Sequence, residues 1–153
     1  MVTTVNKDDL AGLTGKETGV SDWIEIGQDR INTFADVTED HQFIHVNEDM
    51  AKMTPFGGTI AHGFLTLSLL SKMAEQGAIM LDGVKMGVNY GFDKVRFINP
   101  VPSGSKVRGR FSLKSAEEKR PGQFLITYDV TVEIDGIDKP ALVCEWMGMQ
   151  FTG

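Results

Sequence analysis

The spacing of apolar residues changes partway along this chain. Asp22-Trp-Ile-Glu-Ile26 reads as a short strand. From Gln28 to about Val37, Ile31, Phe34 and Ala35 recur at helical spacing and predict a helix. Asn47-Glu-Asp-Met-Ala-Lys-Met predicts a second short helix, with Asn47 as its N-cap and two acids in its first turn. Thr54-Pro-Phe-Gly-Gly-Thr is a loop by composition. From Gly63 to Glu75 the sequence is apolar on nearly every side, which predicts a buried helix. Beyond it the spacing becomes that of strands, roughly over 84–98, 105–117, 123–134 and 140–151. Pro121-Gly122 and Asp135-Gly136 mark turns between the last three. Residues 1–20 form a polar lead-in, weakly helical near Asp8–Leu13, to one domain spanning 1–153. This order predicts an α+β fold whose antiparallel sheet curls around a central helix.

Composition narrows the possible settings. With 153 residues, 41% hydrophobic and 24% charged, the chain can bury a core without covalent staples. The lone Cys144, in Ala141-Leu-Val-Cys-Glu-Trp146, reads as a small buried thiol and has no partner for an internal disulfide. No apolar run approaches the roughly 20 residues of a membrane span. The polar N-terminus lacks a signal-peptide apolar core, so a cytoplasmic protein is expected. A net charge of −6 argues against nucleic acid as a partner.

The charge is unevenly spread. Residues 85–120 carry nine bases against three acids, a local +6, which would attract a small polyanion such as a nucleotide or coenzyme A. Alternatively, Lys106, Arg108, Arg110 and Lys114 alternate with Val107, Phe111 and Leu113 as the solvated face of one strand.

The residues that suggest chemistry lie earlier. On one continuous helix Asp40 and His45 would sit about 140° apart, so they converge only if the chain turns between them. The sequence permits that turn, because the first helix runs out near Thr38. An acid and an imidazole in an irregular segment can flank one water and move its protons. They can equally be a turn residue and a structural histidine. Ile60-Ala-His-Gly63 then opens the apolar helix. Amides at a helix start have no intrahelical acceptor and suit a developing negative oxygen, and glycine allows close approach to the backbone. A packing glycine would look the same. His41 and His45, four residues apart, with Asp36, Glu39, Asp40 and His62 nearby, are of the residue types that bind zinc. Without a His-Glu-x-x-His pattern, no metal site is expected.

Taken together, these residues resemble the MaoC-like dehydratases, the R-specific enoyl-CoA hydratases, and especially their nodulation-protein-N-like branch. The resemblance runs through Phe34, Thr38-Glu39-Asp40-His41-Gln42-Phe43-Ile44-His45 and Ala51. It continues in Ala61-His62-Gly63 and in Arg96-Phe97-x-x-Pro100-Val101-x-x-Gly104. Glu39 stands where the family signature has glycine, and Gln42-Phe43 where it has Asn-Pro. These departures bear on substrate preference more than on reaction type.

The resemblance implies a hot-dog fold, with the sheet wrapped around a long buried central helix, and a homodimer. It also implies reversible syn hydration of a trans-2-enoyl thioester of coenzyme A or acyl carrier protein, giving the (R)-3-hydroxyacyl thioester, with no metal or redox cofactor. Carried over, Asp40 is the base that activates water, His45 orients that water and helps return a proton to Cα, and the Gly63 amide polarises the carbonyl. Ile60, Ala61, His62, Ser68, Asn89 and Arg96 are the substrate-binding candidates. A hot-dog thioesterase and a non-catalytic acyl-thioester-binding subunit are the alternatives on the same scaffold.

Overall fold

Four long strands form most of the main sheet. In the computed structural model, which describes residues 2–153, β5 (Met86–Phe97), β6 (Ser105–Arg120), β7 (Gln123–Ile134) and β8 (Ile137–Phe151) follow β1 (Thr3–Val5), β2 (Glu17–Val20), β3 (Ile24–Ile26) and β4 (Ile79–Leu81). The antiparallel sheet runs β2-β6-β7-β8-β5, with β3 also pairing with β6. The hairpins between β6, β7 and β8 turn at Gly122 and Gly136, whose φ angles of 76° and 79° suit glycine.

Alternation in β6 explains its charged stripe. Val107, Phe111 and Leu113 are fully buried on one face. On the other, Arg108 pairs with Glu133 at 3.1 Å, and Arg110 pairs with Glu133 at 2.7 Å and Glu17 at 2.9 Å. Lys114 and Lys94 both reach Glu145. Four of the nine bases therefore face acids from other segments, and the solvated-face reading holds for Arg108, Arg110 and Lys114.

The helices are α1 (Leu10–Leu13), α2 (Gln28–Thr38), α3 (Phe43–Val46), α4 (Glu48–Ala51), α5 (Gly63–Ser68) and α6 (Leu70–Gly77). Asn47 caps α4, its Oδ1 accepting from the Met50 amide at 3.1 Å. The helix expected over 63–75 is two segments meeting at Leu69, whose amide is shared between the Leu65 and Thr66 carbonyls at 3.2 Å each. Only one face of this pair is buried, carrying Leu65, Thr66, Leu70, Met73 and Gly77. Phe64 is 67% exposed, against the expectation of burial all round. Within one chain the sheet covers only the side on which α6 touches it. That contact is close: a Cβ at Gly77 would fall 2.1 Å from the Phe111 ring, and one at Gly109 would fall 2.9 Å from Met73 Sδ.

The lead-in is more structured than its composition suggests. β1 pairs parallel with β4, β2 joins the main sheet against β6, and Leu10 is buried in the core. Among the described residues, no helix is long and apolar enough to cross a membrane.

Candidate active site

α2 ends by turning left-handed. Glu39 takes φ 62° and ψ 21° as its C-cap, the conformation for which glycine is the usual residue. The departure noted in the sequence therefore falls where the backbone needs that geometry. The chain then leaves the helix axis, Asp40 Oδ1 accepts from the Gln42 amide at 3.3 Å, and α3 carries His45 back towards it. The turn required between Asp40 and His45 is present.

His45 is 7% exposed. Its Nδ1 lies 2.7 Å from the Ile60 carbonyl. A carbonyl only accepts, so Nδ1 carries the hydrogen and Nε2 the lone pair. Burial holds His45 below the usual imidazole pKa of 6.5; the Ile60 bond opposes this, and neighbouring His62 adds to it. At neutral pH the ring is an uncharged acceptor. Its backbone is fixed too. Gln28 Nε2 donates to the His45 carbonyl at 2.7 Å, while Gln28 Oε1 accepts from the Thr59 hydroxyl at 2.6 Å. The Thr59 hydroxyl, with one hydrogen shared between the two acceptors, also lies 2.7 Å from Glu48 Oε2, which accepts from the Thr59 amide at 3.2 Å; these contacts hold that carboxyl below its ordinary range.

The segment Ile60–Gly63 forms the opposite wall. Its backbone is pinned at both sides: the Ile60 amide donates to the Ile44 carbonyl at 3.0 Å, and the Ala61 amide donates to the Val101 carbonyl at 2.8 Å. His62, 3% exposed, is the N-cap of α5, but no side chain closes that N-terminus. Its Nε2 donates to the Asp40 carbonyl at 3.0 Å, and its ring stacks on His45 with centroids 3.9 Å apart.

Asp40, His45, Ile60, Ala61, His62 and Gly63 all line one pocket of about 470 Å³. The other walls are mostly apolar, with Phe56, Phe64, Phe97, Ile98, Pro100, Val101, Ala141 and Leu142. Phe97, Pro100 and Val101 of the strand-to-turn motif thus face the site, and Gly104, at φ 90°, donates its amide to the Ile26 carbonyl. The arrangement places a carboxylate, an imidazole lone pair and a helix start around one apolar space. It suits addition or removal of water beside a carbonyl group.

Three sequence candidates lie elsewhere in the chain. Ser68 is exposed, its hydroxyl donates to the Phe64 carbonyl at 2.7 Å, and with Asn89 it lines a separate groove. Asn89 accepts from Trp146 Nε1 at 3.2 Å. The Arg96 guanidinium turns back to the Val95 carbonyl at 2.8 Å. What the sequence reading missed is Thr66, on the wall of the main pocket, 2% exposed and with its hydroxyl unpartnered. Three residues after Gly63, it shares that residue's helix face, a spacing that could have singled it out over Ser68.

His41 does not join His45. It pairs with Asp36 at the surface, 2.9 Å away. Asp40, His45 and His62 do offer donor atoms within 4.8 Å of one another. One nitrogen of each imidazole is already committed as a donor to a backbone carbonyl.

The chain is similar to known proteins over most of its length. Residues 9–135 match the family described as MaoC like domain. The chain is 50% identical over 146 residues to Nodulation protein N of Rhizobium meliloti, covering 95% of this chain and 91% of that one. It is 49% identical over 137 residues to 3-hydroxyacyl-thioester dehydratase Z of Mycobacterium tuberculosis, covering 90% of each. The solved structure of an (R)-hydratase from A. caviae involved in PHA biosynthesis superposes with a TM-score of 0.70 at 24% identity, over 88% of this chain and 96% of that one, a likeness of fold.

Proposed function

The chain belongs to the MaoC-like domain family, and from that premise we propose that it is a hydro-lyase adding water reversibly to trans-2-enoyl-CoA to give the (R)-3-hydroxyacyl-CoA. The observation that carries this reading is the meeting of Asp40 with a neutral His45 in one mostly apolar pocket. The name of the mycobacterial relative, a 3-hydroxyacyl-thioester dehydratase, describes the reverse reaction on the same substrate class.

In this reading one water sits between the Asp40 carboxylate and His45 Nε2. The carboxylate takes one proton as the water oxygen bonds to Cβ, and Nε2 holds the second hydrogen and so fixes the attack direction. Electron density moves through the double bond to the thioester oxygen, where the Gly63 amide stabilises it. The acid–imidazole pair then returns a proton to Cα from the same face, so a whole water is added in syn fashion. The apolar walls receive the acyl chain.

The active form proposed is a homodimer. Among the described residues β5 pairs only with β8, and along it Met86, Val88 and Tyr90 are exposed. A second copy joining the sheets edge to edge would cover these residues and the open edge. We place the protein in the cytoplasm, with coenzyme A thioesters.

The test is a hydration assay on enoyl-CoA esters from crotonyl to dodecenoyl, with chiral analysis of the product. An (R)-3-hydroxyacyl product supports the reading. Release of free coenzyme A without hydration would instead make the protein a thioesterase.

A further inference from the structure

We infer that His62 is a positioning residue, one ring that fixes both members of the Asp40–His45 pair. The inference rests on the hydratase reading of this site and goes beyond it by giving His62 a role other than substrate contact.

Each catalytic candidate is held loosely by its own segment. Asp40 lies in the irregular stretch between α2 and α3, where its carboxylate has one local bond, to the Gln42 amide. Its main-chain carbonyl is tied across the site, 22 residues along the chain, by His62 Nε2 at 3.0 Å. His45 is held at one edge by Nδ1 and the Ile60 carbonyl. One hydrogen bond leaves the ring free to tilt about its axis. The stack of His62 on its face, 3.9 Å between centroids with 23° between planes, removes that freedom. Phe34 packs against His62 in turn at 4.9 Å and 55°. Ile60 and His62 belong to one strip pinned to Ile44 and Val101. That single strip therefore sets the His45 ring in its plane and out of it, and anchors the Asp40 backbone.

A ring that merely filled space would need no nitrogen here. Phenylalanine would stack equally well, whereas His62 leaves Nδ1 buried with no hydrogen-bond partner. What imidazole adds is the Nε2 donor aimed at Asp40.

Two substitutions separate the contacts. His62→Phe keeps the stack and removes the donor; His62→Gln keeps a donor at similar reach and removes the stack. Measured with crotonyl-CoA, each should lower kcat about tenfold or more with KM within about threefold, because positioning acts in the transition state rather than on binding. Melting temperatures should stay within a few degrees of wild type. In an Asp40→Asn background, His62→Phe should cost less than about twofold more, as expected of a residue that acts through Asp40.

A folded His62→Phe with wild-type kcat overturns the proposal, as does a full loss repeated in the Asp40→Asn background. Unfolding of both variants would also overturn it, making His62 a core residue. Wild-type protein without hydration would sink the hydratase reading itself; active wild type with unaffected variants would sink only the role of His62.

Discussion

Phe97 stands where a methyl group on Gly63 would have to go: a Cβ built there falls 2.8 Å from the ring's Cδ1 and 2.9 Å from Cε1. The first conflict for a side chain at this position is within the protein, ahead of any crowding of a thioester. Gly63→Ala must therefore move the Phe97 ring before it can affect a substrate.

The two effects can be separated with a second substitution. Gly63→Ala should lower the melting temperature and cut hydration by roughly a hundredfold, as for loss of an oxyanion donor. Adding Phe97→Ala, with that variant measured alone as reference, should restore the melting temperature but not turnover. If turnover returns with stability, Gly63 is a packing glycine.

The pH dependence follows from His45, whose pKa is held below 6.5, chiefly by burial. Catalysis in the proposed scheme needs the neutral ring, so the acid limb of kcat/KM attributable to His45 should lie below pH 6.5. Stability has the same sign. Below 6.5 the unfolded chain binds a proton that the folded ring refuses, so stability falls with pH until the folded pKa is passed. His45→Gln should flatten this part of the stability profile. An unchanged profile would show that His45 titrates alike in both states.

Glu39 gives a stability prediction independent of catalysis. A left-handed residue other than glycine costs about 1–2 kcal/mol, and glycine returns part of that in chain entropy. Glu39→Gly should therefore raise stability by about 0.5–1 kcal/mol in urea unfolding. A loss would mean that the Glu39 side chain makes a contact worth more than the strain.

Thr66 tests whether an unpartnered hydroxyl carries a cost. Thr66→Val keeps the shape and removes the buried oxygen, so stability should hold or rise by up to about 1 kcal/mol. A clear fall in melting temperature would show the hydroxyl to be bonded in solution.

The paired charges on β6 predict indifference to substrate. Arg108→Gln and Arg110→Gln should leave KM for the coenzyme A ester unchanged at both low and high salt. A KM that rises more at low salt would restore the phosphate-binding role for that strand.

Much of this architecture is legible in the sequence because local rules and tertiary packing agree. The alternation in 105–117 and the turns at Gly122 and Gly136 hold because one face of β6 and of β7 meets the core. Asn47 is a cap in sequence and in structure. Asp40, His45 and Gly63 share a pocket, as a turn after Thr38 allows. The failures occur where contact depends on distant residues. β1 is only Thr3–Val5, and its partner β4 is some 75 residues away — a pairing that no local pattern announces. The 63–75 run is apolar all round, yet one chain covers only one side of it. Ser68 and Thr66 are both small hydroxyl residues two positions apart. Which of them faces the pocket depends on the helix phase relative to Gly63, and composition does not carry that. The role proposed for His62 rests on a bond to the Asp40 main-chain carbonyl and a stack on the His45 ring, contacts that only the fold brings together.

The account rests on Asp40 and His45 acting on one water, and the most direct test is hydration of crotonyl-CoA by wild type, Asp40→Asn, His45→Gln and the double variant, with chiral analysis. The prediction is an (R)-3-hydroxybutyryl-CoA product from wild type, a loss of most activity in each folded single variant, and little further loss in the double. Wild-type turnover in either single variant, an (S) product, or a double variant that loses the product of the two single factors would contradict it.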